Sequence, residues 1–250
     1  MSLTAICVIP ARLESVRLPR KLLKPLLGKP LIQYVYENAK QAKKPSKVVI
    51  ACDHAEIVNA VKAFGGEAVM TSTKHQSGTE RLTEVAEKTV ADIFVNLQAD
   101  EPLMHPSVID DVISALELNS EYLMATACIR MYDEHDFKSP NVVKLVKNHK
   151  DEALYFSRAP IPHDRDKSET DFFKHLGIYA YRRDFLLKIS SLKSSILEKR
   201  EKLEQLKVLE NGYAIKVLET AYDSIGVDVE EDLRKVEKIL KSKLEEKTHA

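Results

Sequence analysis

The chain has 250 residues, with 38 basic and 38 acidic side chains that cancel to a formal net charge of zero, 44% hydrophobic residues and three cysteines. A chain of this length buries roughly 70–75% of the surface its unfolded form exposes, so no disulfide framework or structural zinc is needed to complete a core. A neutral chain does not bind nucleic acid by bulk charge, and any anion site has to be a local concentration of cations.

In chain order, residues 5–10 read as a buried strand and 31–42 as a helix with apolar spacing at Leu31, Tyr34 and Val35. Strand and helix then alternate: 48–52 is β-like, 55–64 helical, 67–71 β-like, 79–88 helical, 93–98 β-like and 106–118 helical. That order predicts an α/β fold, a mostly parallel sheet with helices on both faces. From about Met124 the pattern changes. Segments 124–131, 142–146, 153–157 and 176–181 are β-like with little helix between them, which predicts an inserted antiparallel region on the same sheet. Helices return over 197–211, with Gly212 as its C-cap, and over 230–246. No linker-like stretch interrupts residues 1–250, which read as a single domain. The apolar run 3–11 is too short for a membrane span and no basic residue precedes it, so a soluble cytoplasmic protein is expected. Cys7, Cys52 and Cys128 lie far apart inside apolar runs and read as buried free thiols.

Ligands of open parallel sheets bind beyond the carboxyl ends of the strands. After the first strand, residues 11–30 carry Arg12, Arg17, Arg20, Lys21, Lys24 and Lys29 against Glu14 alone. Neither G-x-G-x-x-G nor G-x-x-x-x-G-K-[ST] occurs, so the expectation is a polyphosphate held by side-chain cations, with a solvated basic loop as the alternative. Further on, Ser77 with Glu80 fits a capping box, and Gly78 between them opens the backbone N–H groups of a helix start to a ligand.

Asp100, in Gln98-Ala-Asp-Glu-Pro102, and Asp228, in Ile225-Gly-Val-Asp-Val229, each follow an apolar run. Either alone reads as a turn former or helix N-cap. As a pair beside a basic loop they suit Mg²⁺, which takes one or two carboxylates plus waters and phosphate oxygens. Arg158 ends a strand and is a candidate for bidentate pairing with a ligand carboxylate. His175 and Tyr179 share a neighbouring strand, where packing is the plainer role. Glu204 and Gln205 fall in the middle of the 197–211 helix, on what reads as an exposed face.

Together these segments resemble the 3-deoxy-manno-octulosonate cytidylyltransferases, the CMP-Kdo synthetases of lipopolysaccharide biosynthesis, over nearly the whole chain. The resemblance is carried by Ile9-Pro-Ala-Arg12 through Arg17-Leu-Pro, Gly28-Lys-Pro, His75-Gln-Ser-Gly-Thr-Glu-Arg81, Gln98-Ala-Asp-Glu-Pro102, Ala153-Leu-Tyr-Phe-Ser-Arg158, His175-Leu-Gly-Ile-Tyr179, Leu203-Glu-Gln-Leu206 and Gly226-Val-Asp228. It implies a Rossmann-like nucleotidyltransferase fold, Mg²⁺ dependence and the conversion of CTP and Kdo to CMP-Kdo and pyrophosphate. It also implies a homodimer, for which the β-rich region 124–181 is the candidate interface. Neither nucleic acid nor a membrane is expected as a partner.

By motif position, the resemblance implies that Pro10, Ala11 and Arg12 contact the nucleotide while Arg17 and Lys21 hold its phosphates and assist catalysis. Ser77, Gly78, Thr79 and Arg81 would line the cytidine pocket, with Gln98 between base and sugar. Arg158, His175, Tyr179, Glu204 and Gln205 would face the acid sugar, and Asp100 and Asp228 would carry the metal. Arg20 and Leu22 stand where the family loop usually reads Gly-Lys-Pro, Ala99 and Cys52 where it has glycine and threonine, and Val229-Glu230 where it has Thr-Pro. Two alternatives stay open: a related acceptor, 8-amino-Kdo or a sialic acid, and a non-catalytic nucleotide-binding protein.

Overall fold

A computed structural model describes residues 3–166 and 171–248. Every residue of β1 (Ala5–Ala11) is buried, which is what a strand covered by helices on both faces requires. A 3-10 turn at Lys21–Leu23 and a hairpin of β2 (Pro25–Leu26) and β3 (Lys29–Pro30) lead into α1 (Leu31–Ala39), β4 (Pro45–Cys52), α2 (Ala55–Ala63) and β5 (Ala68–Met70). Next come α3 (Gly78–Lys88), β6 (Ile93–Leu97) and α4 (Pro106–Leu118). The excursion comprises β7 (Met124–Met131), α5 (Glu134–Lys138), β8 (Lys144–Lys147), β9 (Ala153–Ser157) and β10 (Phe172–Arg182). The chain closes with α6 (Arg183–Ile189), α7 (Ile196–Glu201), α8 (Gln205–Glu210), β11 (Lys216–Glu219) and α9 (Glu230–Thr248).

The main sheet runs β11-β7-β10-β6-β1-β4-β5. β6, β1, β4 and β5 are mutually parallel, as the alternating order predicts. β10 enters antiparallel between β6 and β7, and β8 and β9 extend from its N-terminal part. One apolar layer packs α1, α2, α4 and α9 against one face, through residues such as Leu31, Ile57, Val108 and Val236. The other packs α3, α6 and α8, through Leu82, Phe185 and Leu206. Cys7, Cys52 and Cys128 are buried and unpaired, and among the described residues no helix is long and apolar enough to cross a membrane.

Two expectations are corrected. The strand over 176–181 begins at Phe172, because Phe173 and Lys174 pair with both β7 and β8. The helix over 197–211 is broken. Lys202 adopts a left-handed φ of 56° and its N–H returns to Glu198 O at 2.7 Å, closing α7 before α8 begins. A lysine in that conformation leaves no mark in the sequence of the kind a glycine would. The break moves Glu204 from mid-helix to the N-terminal boundary of α8.

Candidate active site

The loop after β1 is pinned by three buried leucines, Leu13, Leu18 and Leu22, and leaves Arg12, Glu14, Arg17 and Arg20 at the surface while Lys21 is buried. Most of its cations are already matched. Arg20 pairs with Glu56, Lys24 with Glu230 at 3.0 Å and Lys29 with Glu37 at 2.8 Å. Among the described residues, Arg12 alone of the six has no carboxylate partner. The local excess of positive charge read from the sequence is therefore largely neutralised by acids from elsewhere in the chain.

Two of those acids are the ones singled out above. Lys21 Nζ lies 2.6 Å from Asp100 Oδ2 and 3.2 Å from Asp228 Oδ1, and Arg17 Nη2 lies 2.8 Å from Asp228 Oδ2. The Lys21 side chain is only 10% exposed. Burial opposes its charge, but the two carboxylates outweigh it and raise its pKa. The fold thus brings together carboxylates 128 positions apart and places one ammonium group between them. At the start of α9, Asp232 Oδ2 accepts the N–H groups of Asp228 and Val229 at 2.9 and 3.0 Å, while the Asp228 carboxylate itself faces Lys21 and Arg17.

These groups lie in a cleft of about 470 Å³ whose lining includes Pro10, Arg12, Arg17, Lys21, Ser77, Gly78, Arg81, Gln98 and Glu204. Ala11 is fully buried beside it in β1. Ser77 caps α3, its Oγ accepting from the Glu80 N–H, and Glu80 Oε2 reaches back one residue beyond the cap to accept from the Gln76 N–H. A Cβ at Gly78 would lie 3.2 Å from the Pro10 ring and 3.6 and 3.7 Å from the Asn96 and Gln98 amide nitrogens, so glycine keeps this corner of the cleft open. Arg81 is buried, donating to Asp53, Thr71 and Ser72 O.

Thr79 and Gln205 line a second cavity of about 130 Å³, which shares Ser77 and Glu204 with the first. The Gln205 Nε2 is buried without a partner there. Arg158 lies outside the lining of both cavities; its Nε and Nη1 donate to Glu201 O and Pro140 O. His175 and Tyr179 also lie outside them, with ring centroids 5.2 Å apart on β10.

Thr126 Oγ1 donates its proton to Ile178 O at 2.7 Å, so its 3.0 Å contact with His175 Nε2 makes the imidazole the donor. Burial pushes this imidazole down to about 3. The unfolded chain, with histidine near about 6.5, therefore binds a proton that the fold refuses. The contribution of His175 to stability is complete above about pH 6.5 and is lost as pH falls through the window down to about 3. His175→Gln, which keeps an N–H donor, should show a shallower acid-side fall in melting temperature than the parent. Parallel curves would mean that His175 titrates normally in the fold.

Two residues of this region carried no signal as site residues. Asp53 Oδ1 accepts from the Leu13 N–H at 3.0 Å and its Oδ2 from Arg81, linking the basic loop to α3. Glu101 is buried, and burial together with the Asp100 charge raises its carboxyl to about 7. In sequence each is one more acid after a strand.

The donors at the centre of the cleft are oxygens only, two carboxylates already sharing one cation. No group of three or more His, Cys, Asp or Glu side chains is assembled for a metal among the described residues. That donor set fits Mg²⁺, which completes its shell with water and phosphate oxygens, and does not fit zinc.

The model of the family described as "Cytidylyltransferase" matches residues 6–220. The 3-deoxy-manno-octulosonate cytidylyltransferase of Geotalea daltonii is 50% identical, over 97% of this chain and 100% of its own. That of Geobacter sulfurreducens is 48% identical over 96% and 100%. The chain belongs to the 3-deoxy-manno-octulosonate cytidylyltransferase family.

A solved member, described as CMP:2-keto-3-deoxy-manno-octonic acid synthetase complexed with CTP, superposes with a TM-score of 0.91 at 42% identity, covering 96% of this chain and 99% of that one. A putative glucose-1-phosphate thymidylyltransferase from Bacillus anthracis, at 14% identity and a TM-score of 0.64, shares the fold alone. Against this family background the loop residue Arg20 is informative. It holds a left-handed φ of 55° that glycine would adopt freely, at a cost of roughly 1–2 kcal/mol for an L side chain. Its ion pair with Glu56 ties the strained turn to α2.

Proposed function

We propose that the protein joins CTP and Kdo to give CMP-Kdo and pyrophosphate for lipopolysaccharide biosynthesis. The observation that carries the reading is Lys21 spanning Asp100 and Asp228 in a cleft bordered by Pro10, Gly78 and Gln98. The relatives named for this reaction, at up to 50% identity over their full length, support the acceptor. Asp100 and Asp228 would hold a Mg²⁺ ion, which when bound supplies Lewis-acid charge at a phosphoryl oxygen. Arg17 and Lys21 lie beside those carboxylates and neutralise the triphosphate, offsetting charge on pyrophosphate as it leaves. The acid sugar is assigned to the Glu204 side of the cleft and the cavity behind it, where the unpartnered Gln205 Nε2 offers a hydrogen bond to a hydroxyl. Attack then comes from the anomeric hydroxyl of Kdo on the α-phosphorus of CTP.

The corner formed by Pro10, Gly78 and the opening of α3 is proposed as the site of the cytosine base. Pyrophosphate release, followed with each of four nucleoside triphosphates and Kdo, should show CTP strongly preferred over ATP and GTP. Comparable turnover with ATP overturns the cytidine assignment. Affinity for CTP without turnover on any acid sugar would leave a nucleotide-binding protein.

The working form is proposed to be a cytoplasmic homodimer joined through the β-rich region 124–181, where Tyr132 and Leu154 are 87% and 60% exposed. Buried free thiols agree with a reducing compartment. Sedimentation should give twice the chain mass of 28.3 kDa, and the single-chain mass at assay concentration counts against the dimer.

A further inference from the structure

Asp228 stands in the stretch between β11, which ends at Glu219, and α9, which begins at Glu230. No strand ladder or helix fixes its distance from Asp100. That distance nevertheless has to be held, because two carboxylates serve one cation only when both reach it.

The contacts that hold the stretch converge on Ser224. Lys174 Nζ donates to Ser224 O and to Asp223 Oδ1, each at 2.8 Å. Ser224 Oγ, 2% exposed with its residue, donates to Glu101 Oε2. Past Ser224, the Val227 N–H donates to Asp100 O at 2.9 Å, which sets the residue before Asp228 directly on the segment that carries Asp100.

Glu101 is clasped from its other side by β10. The register of β10 slips between Leu176 and Tyr179, and the Gly177 N–H faces the Glu101 carboxylate. A Cβ at Gly177 would lie 2.8 Å from Glu101 Oε1, and one at Gly226 would lie 3.5 Å from it. The absence of a Cβ at Gly177 therefore leaves room for the buried carboxyl, which also packs against Gly226 in the stretch bearing Asp228. A buried carboxyl without such donors would be costly, so its position depends on both partners being present.

We infer that Glu101 is a positioning residue: by joining Gly177 to Ser224 it fixes the 224–228 segment against the end of β6, so that Asp228 reaches the cation that Asp100 holds. The inference rests on the reading of Asp100 and Asp228 as Mg²⁺ ligands. Glu101 itself touches neither ligand nor reacting atom in this account.

The test compares the parent with Glu101→Ala, Glu101→Gln and Ser224→Ala. Three quantities are read for each: melting temperature, Mn²⁺ affinity by electron paramagnetic resonance with CTP present, and the Mg²⁺ concentration at half-maximal turnover. Loss of a group that orients a ligand typically weakens metal binding about 10–100-fold. Glu101→Ala and Ser224→Ala should therefore bind Mn²⁺ at least about tenfold more weakly and need correspondingly more Mg²⁺, with the KM for Kdo unchanged. Glu101→Gln should recover most of the loss, since its amide oxygen accepts from Gly177 and its amide nitrogen donates to Ser224.

Folded Glu101→Ala or Ser224→Ala protein with parental Mn²⁺ affinity overturns the inference, as does Glu101→Gln impaired to the level of alanine. If Glu101→Ala fails to fold, Ser224→Ala decides the matter from the other end of the contact. A parent that binds no Mn²⁺ and turns over in the presence of a chelator overturns the Mg²⁺ reading itself, and this inference falls with it. The parent arm keeps that result distinct from a failure of the variants.

Discussion

Asp100→Asn and Asp228→Asn should each lower kcat by roughly two to three orders of magnitude, the scale seen when one preorganised electrostatic group is removed from a site. An amide keeps the shape and loses the charge, so melting temperature should change far less than turnover. Because both oxygens serve one cation, the double variant should be scarcely slower than either single one; residues that act as a unit are strongly non-additive. Raising Mg²⁺ should recover part of the activity of the single variants, since the lost ligand first weakens occupancy. Steady-state pyrophosphate release across a Mg²⁺ series measures all three effects. An Asp228→Asn enzyme as fast as the parent would remove Asp228 from the site.

Lys21→Met is the second large effect. In the metal-free protein the Lys21 ammonium is the cation that lets Asp100 and Asp228 approach each other. Methionine fills a similar volume without charge and removes the cation the two carboxylates share, leaving Asp228 with Arg17 and Asp100, among the described residues, with no cation, an arrangement that like-charge repulsion disfavours. The variant should therefore melt lower than the parent without metal, and Mg²⁺ should raise its melting temperature by more than it raises the parent's. Turnover should still fall about 10²–10³-fold with metal saturating, because the charge that offsets the leaving pyrophosphate has gone. Thermal melts with and without Mg²⁺, set beside kcat at saturation, separate the two roles. A variant that melts identically in both conditions would show that Lys21 does not stand in for the metal.

The alternation of strand and helix up to residue 118 was legible in the sequence because each element buries one continuous apolar stretch or face, and periodicity reports burial directly. The excursion was legible as strands but not in its connections. Nothing local says that β10 inserts antiparallel between β6 and β7, since that pairing joins Ile178 to Leu97 and Ala180 to Ala125, far apart in the chain. α5 and α6, of five and seven residues, are too short to show a period of 3.6. The break at Lys202 depends on one residue in a conformation its side chain does not announce.

For the site, residue types alone gave an expectation of a polyphosphate and a metal, from a basic loop after the first strand, a capped helix opening with glycine and two acids after apolar runs, while the reaction class came from the resemblance carried by the ordered motifs. What only the tertiary structure decided is which charges meet. Arg20, Lys24 and Lys29 spend their charge on Glu56, Glu230 and Glu37, whereas Lys21 and Arg17 reach Asp100 and Asp228. Arg158 meets carbonyl oxygens, and Glu101, one position from a proposed metal ligand, is buried between Gly177 and Ser224. The reason is physical. Backbone periodicity is a property of neighbours in sequence, while electrostatic pairing falls off within a few ångströms and depends on distances that only the packed sheet and its loops set.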